Sequence, residues 1–218
     1  MKKLKIFAVV CALLSGGMLH AMEFNYGLKA GLSMSWVPGM ILEDASRTVL
    51  PCPGPYGGAF IEFELADSFL LYTELSYAGL GHIDKFTFYD YFNQYFLRLS
   101  YLQIPVFAGF RLLDDRFTLY LGPELGILLA GNSLSRADGK DRMKFNERAN
   151  LNPVVLDFAL MGQYMFTDHL GIDVKMDFGL TRTFRGEHFV LDYGSFKRDV
   201  QNRTHNVGVS LGVCYKFN

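Results

Sequence analysis

Phe24-Asn25-Tyr26-Gly27-Leu28-Lys29-Ala30-Gly31-Leu32-Ser33-Met34-Ser35 alternates without a break. Phe24, Tyr26, Leu28, Ala30, Leu32 and Met34 share one parity. Asn25, Gly27, Lys29, Gly31, Ser33 and Ser35 share the other. A period of two sustained over this length means a β-strand with one apolar face and one polar face.

The same pattern returns along the chain. It covers residues 56–65, 69–79, 101–112, 117–130, 154–166, 170–181 and 206–217. In residues 170–181, for example, Leu170, Ile172, Val174, Met176, Phe178 and Leu180 oppose Asp173, Lys175 and Asp177. These strands outrun the usual soluble strand of ~5–6 residues. They suit the ~9–11 tilted residues that cross a bilayer. With the first segment they make an even set that closes into a small antiparallel up-and-down barrel of about eight strands.

Alternation alone leaves two barrels open: a soluble one with an apolar interior, and a membrane one turned inside out. Three features favour the second. The polar face is rich in glycine (Gly27, Gly31, Gly109, Gly122, Gly126, Gly208, Gly212), with bulky Tyr56, Phe60, Tyr72, Tyr101, Phe107 and Tyr120 among them. Small residues beside large ones fill a narrow lumen. Its charges are Lys29, Arg111, Lys175 and Lys216 against Glu62, Glu64, Glu74, Glu124, Asp157, Asp173 and Asp177. Such charges are expected to pair inside.

Connections supply the second feature. Those at Ala66–Ser68, Leu113–Arg116 and Thr167–His169 are tiny, while the others are several times longer than the usual ~4–6 residues. Short turns at one end and long loops at the other are the outer-membrane plan, with both termini on the periplasmic side. Third, aromatics collect on the apolar face at the short-turn end: Phe24, Tyr26, Phe63, Phe69, Phe110, Phe117, Tyr164, Phe166, Tyr215 and Phe217. Strands of opposite direction agreeing on one ring of aromatics mark a membrane interface. A lumen of this size is filled by side chains, so no general porin activity is expected. Pro105 and Pro123 are expected at bulges or weakly paired positions, because proline donates no ladder bond.

Composition fits. The 218 residues are 50% hydrophobic, only 20% charged, and contain 22 glycines. A formal net charge of −1 excludes a strongly basic nucleic-acid binder, and the apolar content excludes a disordered chain. Lys2, Lys3 and Lys5 precede an apolar stretch, Ile6 to Leu14, and Leu19-His20-Ala21 offers a cleavage site. Residues 1–21 are therefore read as a signal peptide, and 22–218 as one outer-membrane barrel domain. A buried N-terminal helix is the plainer alternative. Cys11 sits inside the apolar stretch, not at its end, which argues against a lipoprotein anchor. Cys52, in an outer loop, and Cys214, near the other end, are expected too far apart for a disulfide.

Several stretches resemble the PorT-like outer-membrane β-barrel family, common in Bacteroidota. Tyr101-Leu102-Gln103-Ile104-Pro105 is similar to its Tyr-Leu-x-Ile-Pro strand. Phe69 to Gly79 looks like its third strand, with Glu74-Leu75-Ser76-Tyr77 at the centre. Asn206 to Phe217 resembles its closing strand. The resemblance implies an eight-stranded outer-membrane barrel and, from the founding member, a link to protein secretion. The usual assembly signal is a terminal aromatic; here Asn218 follows Phe217.

Chemistry is sparse. Small outer-membrane barrels that modify lipids need a nucleophile beside a base. The histidines after the leader are His82, His169, His188 and His205, and Ser210 has the opposite parity from His205. No catalytic set, zinc spacing or phosphate loop is read, and no cofactor is expected. Function then falls to the loops. Phe86, Phe88, Tyr89, Tyr91, Phe92 and Tyr95, with Phe96, form a dense aromatic run able to engage a protein, a glycan or lipopolysaccharide. The plainer reading is that the two strands extend beyond the bilayer and pack these rings together. Arg136, Lys140, Arg142, Lys144 and Arg148 give the third loop an excess of base, most simply a solvated loop. The expected partners are outer-membrane lipid and lipopolysaccharide, the barrel-assembly machinery, and a protein or glycan at the extracellular loops. No nucleic acid is expected, and the barrel is read as a monomer. The alternatives are a lipid-modifying enzyme and a secreted soluble ligand-binding barrel.

Overall fold

The computed structural model describes residues 23–36, 46–88, 91–112, 116–137, 140–146, 149–185, 188–192, 197–201 and 205–217. The expected leader, Cys11 and Tyr89 lie outside the described residues. The strands are β1 (Phe24–Trp36), β2 (Ser46–Ala66), β3 (Phe69–Phe88), β4 (Tyr91–Leu112), β5 (Phe117–Ala137), β6 (Lys140–Asn146), β7 (Val154–Met165), β8 (Leu170–Arg182), β9 (His188–Asp192), β10 (Lys197–Gln201) and β11 (His205–Lys216).

Eight of them form a closed antiparallel ring in the order β1-β2-β3-β4-β5-β7-β8-β11, and β11 returns to β1. Closure leaves no sheet edge within the ring. Strand β6 folds back on the outer end of β5, and β9 and β10 form a separate hairpin. At the other end Phe217 N donates to Tyr26 O at 2.9 Å, so the first and last strands meet beside the short turns.

The barrel is inside out. Leu28, Leu32, Leu75, Val106, Val174, Met176, Leu211 and Val213 stand on the exterior, while Lys29, Glu62, Glu74, Glu124, Asp173, Lys175 and Asp177 are buried. This decides between the two barrels that alternation leaves open. The expected aromatic ring is present and in contact: Tyr26 with Phe217, Phe69 with Phe110, Tyr164 with Phe166, and Tyr215 with Phe217. Glycine beside a large ring is also found within. A Cβ on Gly27 would lie 2.6 Å from the Phe60 ring, and one on Gly109 would lie 2.7 Å from the Tyr120 ring.

The strands on one side run far beyond the alternating segments. β2 has 21 residues, β3 20, β4 22 and β5 21, against 12–13 for β1, β7, β8 and β11. Much of what reads as long outer loop is therefore paired strand. Cys52 lies in β2 with its side chain buried, not in a loop, and both Cys52 and Cys214 are free thiols.

The prolines sit where the ladder lapses, as expected. Between β3 and β4 the register skips Glu74 and Leu75 opposite Ile104 and Pro105. Between β4 and β5 it skips Val106 and Phe107 opposite Gly122 and Pro123. A proline N cannot complete either bond.

Candidate functional site

The interior is stacked in four levels. Nearest the short turns, Arg111 pairs with Glu64, Lys216 Nζ lies 3.0 Å from Glu62 Oε1, and Asn25 Nδ2 donates to Glu64 at 3.1 Å. Above them Phe60, Tyr72, Phe107, Tyr120 and Met161 form an apolar layer. Tyr120 reaches down from it to donate to Glu62.

The third level is charged. Lys29 Nζ lies 2.6 Å from Glu74 Oε2 and 3.5 Å from Asp173 Oδ1. Tyr56, Tyr72 and Ser76 all donate to Glu74, at 3.0, 2.6 and 2.7 Å. Lys175 Nζ binds Glu124 Oε2 at 2.6 Å and Gln103 Oε1 at 3.0 Å. Buried pairs hold only where the remaining lone pairs are met, and Glu74 meets that condition. Asp157 does not: its Oδ1 has no hydrogen-bond partner among the described residues. The expectation that the interior charges all pair is corrected at this residue, because the layer has only two lysines to set against its carboxylates.

The fourth level closes the mouth. Leu151 and Phe184 bridge to each other from the segments after β6 and β8. They pack into a buried cluster with Leu80, Leu97, Leu99, Tyr101, Leu128 and Val155. Asn152 fixes the crossing: its N donates to Thr183 O at 2.9 Å and its Nδ2 to Arg182 O at 2.7 Å. Sequence reasoning missed this cap. Its one local signal is a lone leucine and a lone phenylalanine in otherwise polar connections.

The aromatic run falls on the β3–β4 hairpin. Phe88 pairs with Tyr91, Thr87 with Phe92, Phe86 with Asn93 and Asp84 with Tyr95. The backbone thus supports the plainer expectation, that the strands extend beyond the lipid-facing band. Only Tyr95 and Phe96 of this run have described side chains. Tyr95 packs against the mouth cluster and stays half-buried. Tyr89 lies outside the described residues, as do the side chains of Phe86, Phe88, Tyr91 and Phe92.

The three histidines with described side chains do not converge, and the side chain of His188 lies outside the described residues. His82 is buried in β3, His169 lies in the turn before β8, with Nδ1 3.0 Å from Lys216 O, and His205 Nδ1 donates to Gly179 O at 3.0 Å. Among the described residues no group of His, Cys, Asp and Glu is arranged to hold a metal ion.

A family model, the outer membrane protein beta-barrel domain, matches residues 19–185, more than half of the chain. The chain belongs to this family. It is a small barrel of the bacterial outer membrane, with its apolar exterior in contact with lipid. No curated protein matches the sequence. Similar solved structures include the attachment invasion locus protein Ail of Yersinia pestis, at 13% identity and a TM-score of 0.42 over 89% of this chain and 99% of that one. Neisserial surface protein A matches at 13% identity and 0.45, over 91% and 100%. OprG of Pseudomonas aeruginosa matches at 12% identity and 0.37, over 89% and 96%.

Proposed function

We propose that this outer-membrane barrel is a non-porin protein that works through its extracellular end, as a structural or adhesion element contacting a protein or glycan. The observation that carries this reading is the filled interior. Two charged levels and an aromatic one occupy the lumen, and Leu151 and Phe184 cover its mouth. What remains for function is the paired sheet of β2 to β5 standing above the lipid band, with the aromatic hairpin at its tip. A monomer suffices for this, since the ring closes within one chain.

An enzymatic role has less support. The His205 ring is tied to a carbonyl, and its cross-strand neighbour is Arg182, neither a nucleophile nor an orienting carboxylate. The motifs around Tyr101–Pro105 and Glu74–Tyr77 favour a PorT-like subgroup, and with it a secretion role as the second reading. We also propose that residues 1–21 are a cleaved leader and that the barrel-assembly machinery inserts the mature chain.

Photo-crosslinking from position Tyr91 on intact cells tests the main reading. One discrete crosslinked protein or glycan species, lost when the crosslinker is moved to lipid-facing Val174, is the expected result. Large, steady single-channel conductance of the purified protein in planar bilayers would overturn it. Crosslinks only to secretion components would favour the second reading.

A further inference from the structure

The lipid-facing band of β8 runs from Leu170 to Phe178, and that of β11 from Tyr215 to Val207. Immediately above both bands the register breaks. Val207 pairs with Phe178, but His205 pairs with Arg182, so residues 179–181 lie opposite Asn206 alone. A bulge of this kind at a barrel rim re-aims a side chain. Here it sets exposed Arg182 beside half-buried His205. Trp36 lies on the other side of β11, paired with Val207 at the last position of β1.

The three residues stand at the outer margin of the apolar bands, Trp36 level with their last residue, Val207, and Arg182 and His205 just beyond it. Tryptophan belongs at that level, with its ring in the apolar margin. Arginine there matches phosphate, through paired N–H donors. Arg182 is exposed, and its backbone is held in place by Asn152. His205 gives its Nδ1 proton to Gly179 O, which leaves Nε2 as the ring nitrogen without a partner among the described residues.

Charge at the two rims agrees with this placement. Among the described side chains, the exposed charges at the outer end are Arg98, Arg182 and Arg185. At the periplasmic end they are Glu23, Asp67 and Asp168 against Arg116. The strands β1, β8 and β11 are also shorter than β2 to β5, so their described ends lie nearer the lipid-facing band.

We propose that Arg182, His205 and Trp36 form a seat for the phosphate of one outer-leaflet lipid. The inference does not depend on the adhesion reading, only on the barrel's place in the membrane.

Trp36 is the chain's single tryptophan, so its fluorescence reports on the seat alone. The full chain is refolded into dodecyl maltoside micelles, which carry no phosphate, and titrated with diphosphoryl lipid A, its phosphate-free counterpart, or inorganic phosphate. The proposal expects a saturable emission change with lipid A only. Arg182→Ala should weaken it about tenfold, the loss of one charge-assisted contact. Arg98→Ala, on the opposite wall, should leave it unchanged. Equal weakening by the two substitutions, or an equal response to the phosphate-free lipid, overturns the seat. A response to inorganic phosphate alone assigns the site to a free anion and likewise overturns it. Heat-modifiable gel migration confirms that each variant is folded, and Arg182→Lys should recover part of the affinity.

Discussion

Ser35 Oγ accepts a hydrogen bond from the backbone N–H of Gly81 at 2.8 Å, reaching from β1 across β2 to β3. Ser33 Oγ does the complementary task, donating to Gly79 O at 2.8 Å. The strand between them reads Pro51-Cys52-Pro53-Gly54-Pro55, and its register to β3 slips between Pro51 and Tyr56. Three prolines remove three ladder donors. Gly54 keeps the passage open, since a Cβ there would lie 2.1 Å from Gly79 O. Two hydroxyls from the next strand thus replace bonds that the prolines cannot make.

The first prediction follows from that replacement. Ser33→Ala with Ser35→Ala leaves Gly79 O and Gly81 N buried without partners, at about 1–3 kcal/mol each. Urea unfolding in lipid vesicles should show a lower midpoint with an unchanged slope. A midpoint equal to the parent's would mean that β2 supplies these bonds after all.

The inside-out assignment predicts opposite outcomes at two neighbouring positions of β8. Val174 is 40% exposed on the lipid face, whereas Asp177 is 1% exposed inside, 3.4 Å from Lys175. Val174→Arg near mid-membrane should cost about 2–4 kcal/mol and lower the folded fraction on heat-modifiable gels. Asp177→Asn retains shape and should fold normally. Equal yields from the two variants contradict the assignment.

These elements differ in how far they can be read from residues alone. Alternation is local, so all eight ring strands, the aromatic girdle and the filled lumen are visible in the sequence. Strand length above the membrane is not. Pro51 to Pro55 has the composition of a loop, and its strand geometry exists only because Ser33 and Ser35, far away in sequence, complete it. The Leu151–Phe184 cap and the Arg182–His205 pair are likewise products of contacts between distant segments, one through an isolated bridge and the other through a bulge. The aromatic run from Phe86 to Tyr95 is conspicuous by composition, but the packing of Tyr95 on the mouth cluster emerges only with the fold.

Lys175 sits wholly buried between Glu124 and Asp177. Lys175→Met removes the cation and leaves two buried carboxylates facing each other without it. Breaking such a group from one side typically costs about 3–5 kcal/mol. Adding Glu124→Gln in the same chain should recover part of this loss, because it removes one uncompensated charge. The double-mutant cycle, read from unfolding midpoints, checks it: additive losses would show that the pair is not coupled.

The cap gives a prediction that separates stability from permeability. Leu151 is fully buried in the mouth cluster, so Leu151→Ala should destabilise the barrel by about 2–5 kcal/mol. Opening the mouth does not open the lumen, however. Below it stand the Lys29–Glu74 and Lys175–Glu124 pairs, and below those the Phe60, Tyr72, Phe107 and Tyr120 layer. Planar-bilayer recordings of Leu151→Ala should therefore remain silent even as its urea midpoint falls. If the variant conducts, Leu151 and Phe184 are the whole barrier, and the inner levels must be loose enough to pass ions.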